Sequence, residues 1–209
     1  MTTKRLMTAS LISTALIMCG CGGKVRYPNY YTLAVAPTKQ PALSVAHQSA
    51  TVAVRRFDTP GYLRQGRIVY RTTPEQVGFY NYHRWASDPG LVVTTGVIDS
   101  LRSTNLFSVV EPYAGQEHPD YLLRGRLERL DEVDYSNGVQ AEVKLSAELV
   151  NVRTGASVWA GAVTKTSNVS ARDVNSVVVA MSQAVQAGID QLVADMEKQL
   201  SDKAVAARN

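Results

Sequence analysis

The sequence predicts a single α+β domain in which a β-meander is followed by a long C-terminal helix. Three segments between residues 121 and 166 have strand composition, and the sequences between them, Ser136-Asn137-Gly138 and Arg153-Thr154-Gly155, are typical turns. From Val174 to Leu200 the apolar residues recur at helical spacing, which predicts an amphipathic helix with one core-facing stripe. With 45% apolar residues, the chain is long enough for one domain with its own core.

The first half of the domain is predicted to contain two strands and a hairpin. Tyr30 to Val35 and Thr51 to Phe57 have strand composition, and residues 36–49 between them contain two prolines and no apolar period, which indicates a loop. Ile68 to Arg71 and Val77 to Tyr82 are two short strand-like runs. Because a turn-forming sequence joins these runs, they are predicted to form a hairpin.

A helix and a short strand are predicted between the hairpin and the meander. Asp88-Pro89 is a typical helix start, with Asp as the cap and Pro in the first turn. The apolar residues that follow lie on one helical face: Val93, Val97, Ile98 and Leu101. The helix should end near Asn105, before a strand from Phe107 to Val110.

The meander strands are expected at Tyr121 to Val133, with a phase change near Leu130, at Val139 to Val152 and at Ser157 to Thr166. Polar residues alternate along the middle strand, so one of its faces should meet water or a partner. These residues are Gln140, Glu142, Lys144, Ser146 and Glu148. Ser170 to Asp173 resembles a capping box before the last helix, and residues 201–209 are expected to be a flexible tail.

The N-terminus has the pattern of a lipoprotein signal. Lys4 and Arg5 precede an uncharged stretch that is too short to cross a bilayer permanently, which predicts a signal peptide over residues 1–20. Met18-Cys19-Gly20-Cys21 resembles a lipobox, and the small residue before Cys21 makes Cys21 the site of lipid attachment. An ordinary secretory signal with incidental cysteines is the alternative interpretation. Residues 21–29 would then be a lipidated N-terminus and tether, followed by a domain over residues 30–200.

The acyl chains decide where the protein would reside. A diacylglycerol on the sulfur of Cys21 and a third chain, such as palmitate, on its amine would anchor the protein almost permanently. Gly22 follows the cysteine where an inner-membrane retention signal would have Asp, which resembles cargo sorted to the outer membrane. The predicted location is therefore the outer membrane, facing the periplasm.

Composition and spacing argue against several classes of function. Removing residues 1–20 lowers the formal net charge from +4 to +2, which is not typical of nucleic-acid-binding proteins. Acylation of Cys21 would leave no free thiol, so disulfides, zinc thiolates and cysteine nucleophiles are excluded. The three histidines lack metal-binding spacing, and no catalytic motif is recognisable. Asp131-Glu132-x-Asp134 is interpreted as a solvated edge. We therefore predict no cofactor, no metal site and no enzymatic activity.

The segment from Tyr62 to Trp85 departs from a uniform surface because it combines aromatic side chains with arginines. Aromatic residues and arginine are enriched in the cores of protein interfaces, so this segment is the candidate partner-binding region. The alternative is that its rings fill the core beneath the hairpin. The candidate residues are Tyr62, Arg64, Arg67, Tyr70, Arg71, Tyr80, Tyr82, Arg84 and Trp85.

Four sequence features together resemble the ABC-type transport auxiliary lipoproteins of the paraquat-inducible C type. They are the lipobox, Tyr30-Tyr31-Thr32-Leu33, the run from Val54 to Leu63 with its Pro-Gly-Tyr-Leu ending, and Arg67-Ile68-Val69-Tyr70-Arg71 followed by Arg84-Trp85-Ala86. The resemblance covers about residues 27–200. It implies an α/β fold with a mixed, mainly antiparallel sheet and helices packed on one side, as in the amino-terminal domain of the Tol-Pal translocation protein.

The resemblance also implies a function and partners. The protein would be a non-enzymatic adaptor that docks a mammalian-cell-entry type substrate-binding protein at the outer membrane. That partner would work with an inner-membrane permease and ATPase to move lipids, in particular phospholipids, across the envelope. A ring of identical subunits is a further implication. Two alternatives stay open: an assembly or pilot lipoprotein for a β-barrel or secretin, and a periplasmic hydrolase with an unrecognised site.

Overall fold

The computed structural model describes residues 26–36, 48–115, 118–136 and 138–206. Cys21, the signal peptide and residues 207–209 lie outside the described residues, as do most of the predicted loop 36–49 and of the tether. The described chain forms one α+β domain with eight strands and two helices. The strands are β1 (Asn29–Tyr31), β2 (Gln48–Val54), β3 (Arg67–Arg71), β4 (Gly78–Trp85), β5 (Phe107–Pro112), β6 (Tyr121–Ser136), β7 (Gly138–Asn151) and β8 (Ser157–Asn168). The helices are α1 (Pro89–Thr104) and α2 (Val174–Ala206), and a 3-10 turn covers Leu63–Gln65.

The sheet is mixed and branches at β6. On one edge, the first residues of β6 pair in parallel with β2, and the last residues pair in parallel with β3. The other edge of β6 pairs with β7 over nearly its whole length, and β7 pairs with β8, so the predicted antiparallel meander is confirmed. The hairpin of β3 and β4 is also confirmed, and β1 lies parallel to the outer edge of β4.

The predicted phase change in the first meander strand is a β-bulge. The pairing register of β6 shifts between Leu127 and Arg129. Leu127 and Leu130 are three residues apart and would face opposite sides of a regular strand, but both are fully buried. The extra residue of the bulge therefore brings both leucines into the core.

The two helices contact each other, and both pack on one side of the sheet. The side chain of Asp88 caps α1 by accepting a hydrogen bond from the Leu91 amide at 3.1 Å, as predicted. Asn105, in the left-handed conformation with φ of 53°, ends α1 at the expected position.

The long helix α2 is the core helix predicted from its apolar stripe. Met181, Val185, Ile189 and Met196 are fully buried, and Gly188 lets the helix approach β7 closely: a Cβ there would lie 3.1 Å from Leu145 Cδ1. By length and composition this helix could cross a membrane, but 61% of its apolar stretch is buried inside the domain.

The N-cap residue and the end of α2 differ from the predictions. The N-cap is Asp173 and not Ser170, because the Asp173 carboxylate accepts from the Ser176 amide at 3.0 Å and the helix begins at Val174. The helix also continues to Ala206, beyond the expected start of the tail at residue 201. Lys203 Nζ donates to the carbonyl of Val158 at 2.7 Å, which ties the last turn to β8.

The first predicted strand is shorter than expected. Pairing stops at Tyr31, and residues 32–36 leave the sheet to lie on the helices. The amide of Ala34 donates to Ser182 Oγ at 3.1 Å, and the amide of Ala36 donates to Gln186 Oε1 at 2.9 Å. Because α2 supplies these acceptors, the segment does not need a neighbouring strand.

Candidate functional site

The candidate segment from Tyr62 to Trp85 folds into the 3-10 turn, β3 and β4. These elements form the end of the sheet farthest from β5, next to the C-terminal half of β6. The amide of Trp85 donates to the carbonyl of Gly66 at 2.8 Å, which joins the end of β4 to the turn before β3. The structure therefore brings the candidate residues together, but in three different environments.

Two candidates, Arg71 and Trp85, are buried. Arg71 is 8% exposed, and its Nε donates to Asp131 Oδ2 at 2.5 Å. Arg129 Nε lies 3.6 Å from the same oxygen, and Asp131 itself is fully buried. Burial raises the pKa of the Asp131 carboxyl, and the two guanidinium groups counteract that shift. Trp85 is 6% exposed in the core. These two side chains hold the domain together and are not available to a partner.

Tyr62 has a similar structural role. Its ring lies 5.8 Å from Arg71 Cζ, and its hydroxyl donates to the carbonyl of Glu128 at 3.2 Å. Burial raises the pKa of its phenol, and the charge of Asp131 raises it further. The turn that carries Tyr62 thus covers the buried ion pair between Arg71 and Asp131.

The remaining arginines and two tyrosines form what we call the arginine–tyrosine surface. Cross-strand pairing places Tyr30 opposite Arg84 and Arg84 opposite Arg67, so these three side chains project from one face of the sheet. Arg26 lies 5.7 Å from the centre of the Tyr82 ring. The surface comprises Arg26, Tyr30, Arg67, Tyr82 and Arg84, together with Arg64, which is exposed on the 3-10 turn that leads into β3.

No acidic partner compensates the charge of this surface. Among the described residues, none of its four arginines has a carboxylate within 4.0 Å. Tyr30 is 63% exposed and Tyr82 is 43% exposed, which is unusual for large side chains next to a core. A surface that combines unpaired guanidinium groups with exposed aromatic rings can bind an anionic or mixed protein surface.

A second feature lies at the same end of the sheet, where Tyr70 and Tyr80 stand beside Glu132. The two rings pack edge to face with centroids 5.2 Å apart, and the Tyr80 hydroxyl donates to Glu132 Oε2 at 2.7 Å. Burial raises the pKa of both the Tyr80 phenol and the Glu132 carboxyl. We call this group the tyrosine–glutamate cavity; Asp134 also lines it, and its volume is about 390 Å³.

The acidic cluster that includes Glu132 is not the solvated edge that the sequence suggested. Asp131 is fully buried and Glu132 is 8% exposed, and only Asp134 is half-exposed. The cluster differs from the expectation because β3 pairs with this part of β6 and covers it, and the paired residues are sixty-two positions apart in sequence. No group of three or more His, Cys, Asp or Glu side chains in the described ranges is arranged to hold a metal ion.

Two residues of this surface, Arg26 and Tyr30, were not among the candidates predicted from the sequence. Both precede the candidate segment by more than thirty residues, and only the parallel pairing of β1 with β4 brings them to it. The composition of residues 26–31, with three tyrosines and one arginine, was a usable signal for them.

Comparison with known proteins identifies one family and several solved structures with the same fold. The family model described as "ABC-type transport auxiliary lipoprotein component" matches residues 31–206. No protein of curated function matches the chain.

Solved structures share the fold at low sequence identity. Protein XCC0632 from Xanthomonas campestris is 19% identical, with a TM-score of 0.74 over 84% of this chain and 98% of that chain. The hypothetical protein CT253 from Chlamydia trachomatis is 8% identical, with a TM-score of 0.52 over 72% of this chain and 96% of that one. These likenesses confirm the predicted fold class.

Proposed function

The chain belongs to the family of ABC-type transport auxiliary lipoprotein components, and from this premise we propose that it is the adaptor that docks a periplasmic substrate-binding protein at the outer membrane. The partner is of the mammalian-cell-entry type and is served by an inner-membrane permease and ATPase. The system moves lipids, in particular phospholipids, across the envelope. Cys21 carries the acyl chains, and the folded domain supplies the docking surface.

The observation that carries this proposal is the arginine–tyrosine surface. Its four arginines form no ion pair with a described residue. A partner can therefore desolvate them without breaking an ion pair inside the domain. Tyr30 and Tyr82 provide apolar contact area with little loss of conformational freedom. Such a surface favours a protein partner that presents carboxylates around an apolar centre.

The position of the surface fits an anchored adaptor. Arg26 belongs to the predicted tether and Tyr30 follows it directly in sequence, so the docking surface would lie close to the point where the chain leaves the lipid. A partner bound there would be held near the membrane. The family description names a transport component, which favours a non-enzymatic role.

The test is recovery of partners from detergent-solubilised envelopes with the tagged full-length lipoprotein, followed by mass spectrometry of proteins and lipids. We expect a mammalian-cell-entry protein to co-purify with the wild type. The double variant Arg67→Glu and Arg84→Glu should reduce its recovery at least about tenfold, because charge reversal opposes an acidic partner.

The matched control is Arg153→Glu, which reverses an exposed arginine in the turn between β7 and β8. That turn is on the order of 35 Å from the hairpin along β6. The control should leave recovery unchanged. Equal loss with both variants, or recovery of only a β-barrel or secretin with the wild type, would contradict the adaptor role.

A further inference from the structure

The tyrosine–glutamate cavity contains a carboxylate with an unused oxygen. Glu132 is 8% exposed, and the one hydrogen bond described for its side chain is the one that Oε2 accepts from Tyr80. The charges of Asp134 and Arg172 also act on it, without a described hydrogen bond or ion pair to Glu132. Oε1 has no hydrogen-bond or ion-pair partner among the described residues, although Glu132 lines the cavity. A buried carboxylate with no cation in direct contact is costly, so a site of this kind favours a cationic ligand.

The walls of the cavity suit the same kind of ligand. Tyr70, Tyr80 and Phe79 contribute three rings to a volume of about 390 Å³. The faces of aromatic rings attract cations within about 6 Å, and one of these rings already does so: Arg67 Cζ lies 5.8 Å from the centre of Phe79. The rings of Tyr70 and Tyr80 have no such cation among the described residues.

Two further groups at the cavity determine which cation fits best. Thr72 lines it and brings a hydroxyl that can accept a hydrogen bond. Asp134 adds a second carboxylate, and Arg172, on a side chain that is 78% exposed, lies 3.6 Å from it. Several acceptors and no buried cation favour a ligand that donates N–H bonds, which a primary ammonium does and a quaternary ammonium does not.

We propose that the tyrosine–glutamate cavity binds a primary alkylammonium group. The carboxylate of Glu132 accepts its N–H bonds, and the rings of Tyr70 and Tyr80 contact the cation and the methylene carbons beside it. This site goes beyond the adaptor role and does not depend on it. Two sources supply the same chemistry, a soluble amine and the ethanolamine head group of a phospholipid.

The test is ligand-observed saturation-transfer NMR on the full-length lipoprotein in a nonionic detergent, with ethanolamine as the probe. Ethylene glycol serves as its neutral analogue and choline as its quaternary analogue. We expect saturation transfer to ethanolamine, none to ethylene glycol, and weaker binding of choline. Mixed micelles of phosphatidylethanolamine and the same detergent that displace the probe would identify the head group as the source, and failure to displace it would identify a soluble amine.

Two variants keep the test specific. Glu132→Gln retains an oxygen for the Tyr80 hydroxyl but removes the charge, and it should weaken ethanolamine binding about tenfold or more. Tyr70→Leu leaves the carboxylate in place and should weaken binding about threefold or more. Glu148→Gln, an exposed carboxylate on β7, is the matched control and should change nothing. The proposal is overturned if ethanolamine does not bind the wild type, or if Glu132→Gln binds it as well as the wild type does.

Discussion

The polar face of the meander and the hairpin end of the same sheet differ in whether their charged side chains have partners of opposite charge. On the meander, Arg124 pairs with Glu148 at 3.0 Å and Lys144 pairs with Glu128 at 2.8 Å, so neighbouring strands neutralise each other. At the hairpin end, Arg67 and Arg84 stand directly opposite each other with no described acidic partner.

This difference indicates where a partner would bind. A polar sheet face that satisfies its own charges needs only water, and the sequence pattern of β7 alone could not separate that state from an interface. Like charges placed opposite each other are unfavourable in the isolated domain. Such an arrangement is retained at little cost only where another molecule supplies the opposite charge, so the comparison favours the hairpin end as the docking region.

The largest effect on the free energy of unfolding should come from breaking the buried ion pair between Arg71 and Asp131. Arg71→Met leaves the Asp131 carboxylate buried with only Arg129 nearby, and this should lower the free energy of unfolding by about 3–5 kcal/mol. Chemical denaturation of the purified protein measures it. The matched change on the meander, Arg124→Met, breaks an exposed pair and should cost at most about 1 kcal/mol. Similar losses in the two variants would remove the distinction between buried and exposed pairs.

A smaller effect, of opposite sign in the two regions, should follow from removing single surface charges. Arg84→Gln relieves the repulsion with Arg67 and should raise the free energy of unfolding by a few tenths of a kcal/mol, up to about 0.5. Lys144→Gln removes an attractive partner of Glu128 and should lower it by about 0.2–1 kcal/mol. Both changes are measured by denaturation at low and high salt, since screening should shrink them. A loss of stability in Arg84→Gln would mean that Arg84 has a structural role.

The smallest effect is a difference in pH dependence between Glu132 and Glu128. Burial raises the pKa of Glu132 above its unfolded value, so its contribution to stability is fully present below about pH 4.3 and is lost as pH rises through the folded pKa. The hydrogen bond from Lys144 lowers the pKa of Glu128, so its contribution is present above about pH 4.3 and is lost as pH falls through the folded pKa.

Denaturation between acidic and neutral pH separates the two groups. Glu132→Gln should remove a decline of stability with rising pH, whereas Glu128→Gln should remove a decline with falling pH. Changes of the same sign in the two variants would contradict the assignment of burial to one carboxylate and of pairing to the other.

The sequence predicted local structure better than it predicted the site. The meander, the hairpin, the cap at Asp88 and the phase change near Leu130 depend on neighbouring residues or on one strand's alternation, and the structure confirms them. The cap of α2 was wrong because Ser170 and Asp173 are both good caps, and only the geometry of the helix selects between them.

The candidate site was harder because burial depends on long-range pairing. Arg71 and Trp85 have the composition of an interface, but the partner of Arg71 is an aspartate on β6, sixty residues away. Conversely, Arg26 and Tyr30 join the surface only through the pairing of β1 with β4. No pattern within the segment from Tyr62 to Trp85 carries that information.

The measurement that tests the docking surface most directly is site-specific photo-crosslinking in intact envelopes. A photo-reactive residue replaces Tyr82 on the arginine–tyrosine surface or, as the control, Val152, which is 49% exposed at the other end of the sheet. We expect a crosslink from position 82 to a mammalian-cell-entry type protein and none from position 152. Crosslinks to that protein from position 152 and not from position 82 would contradict it.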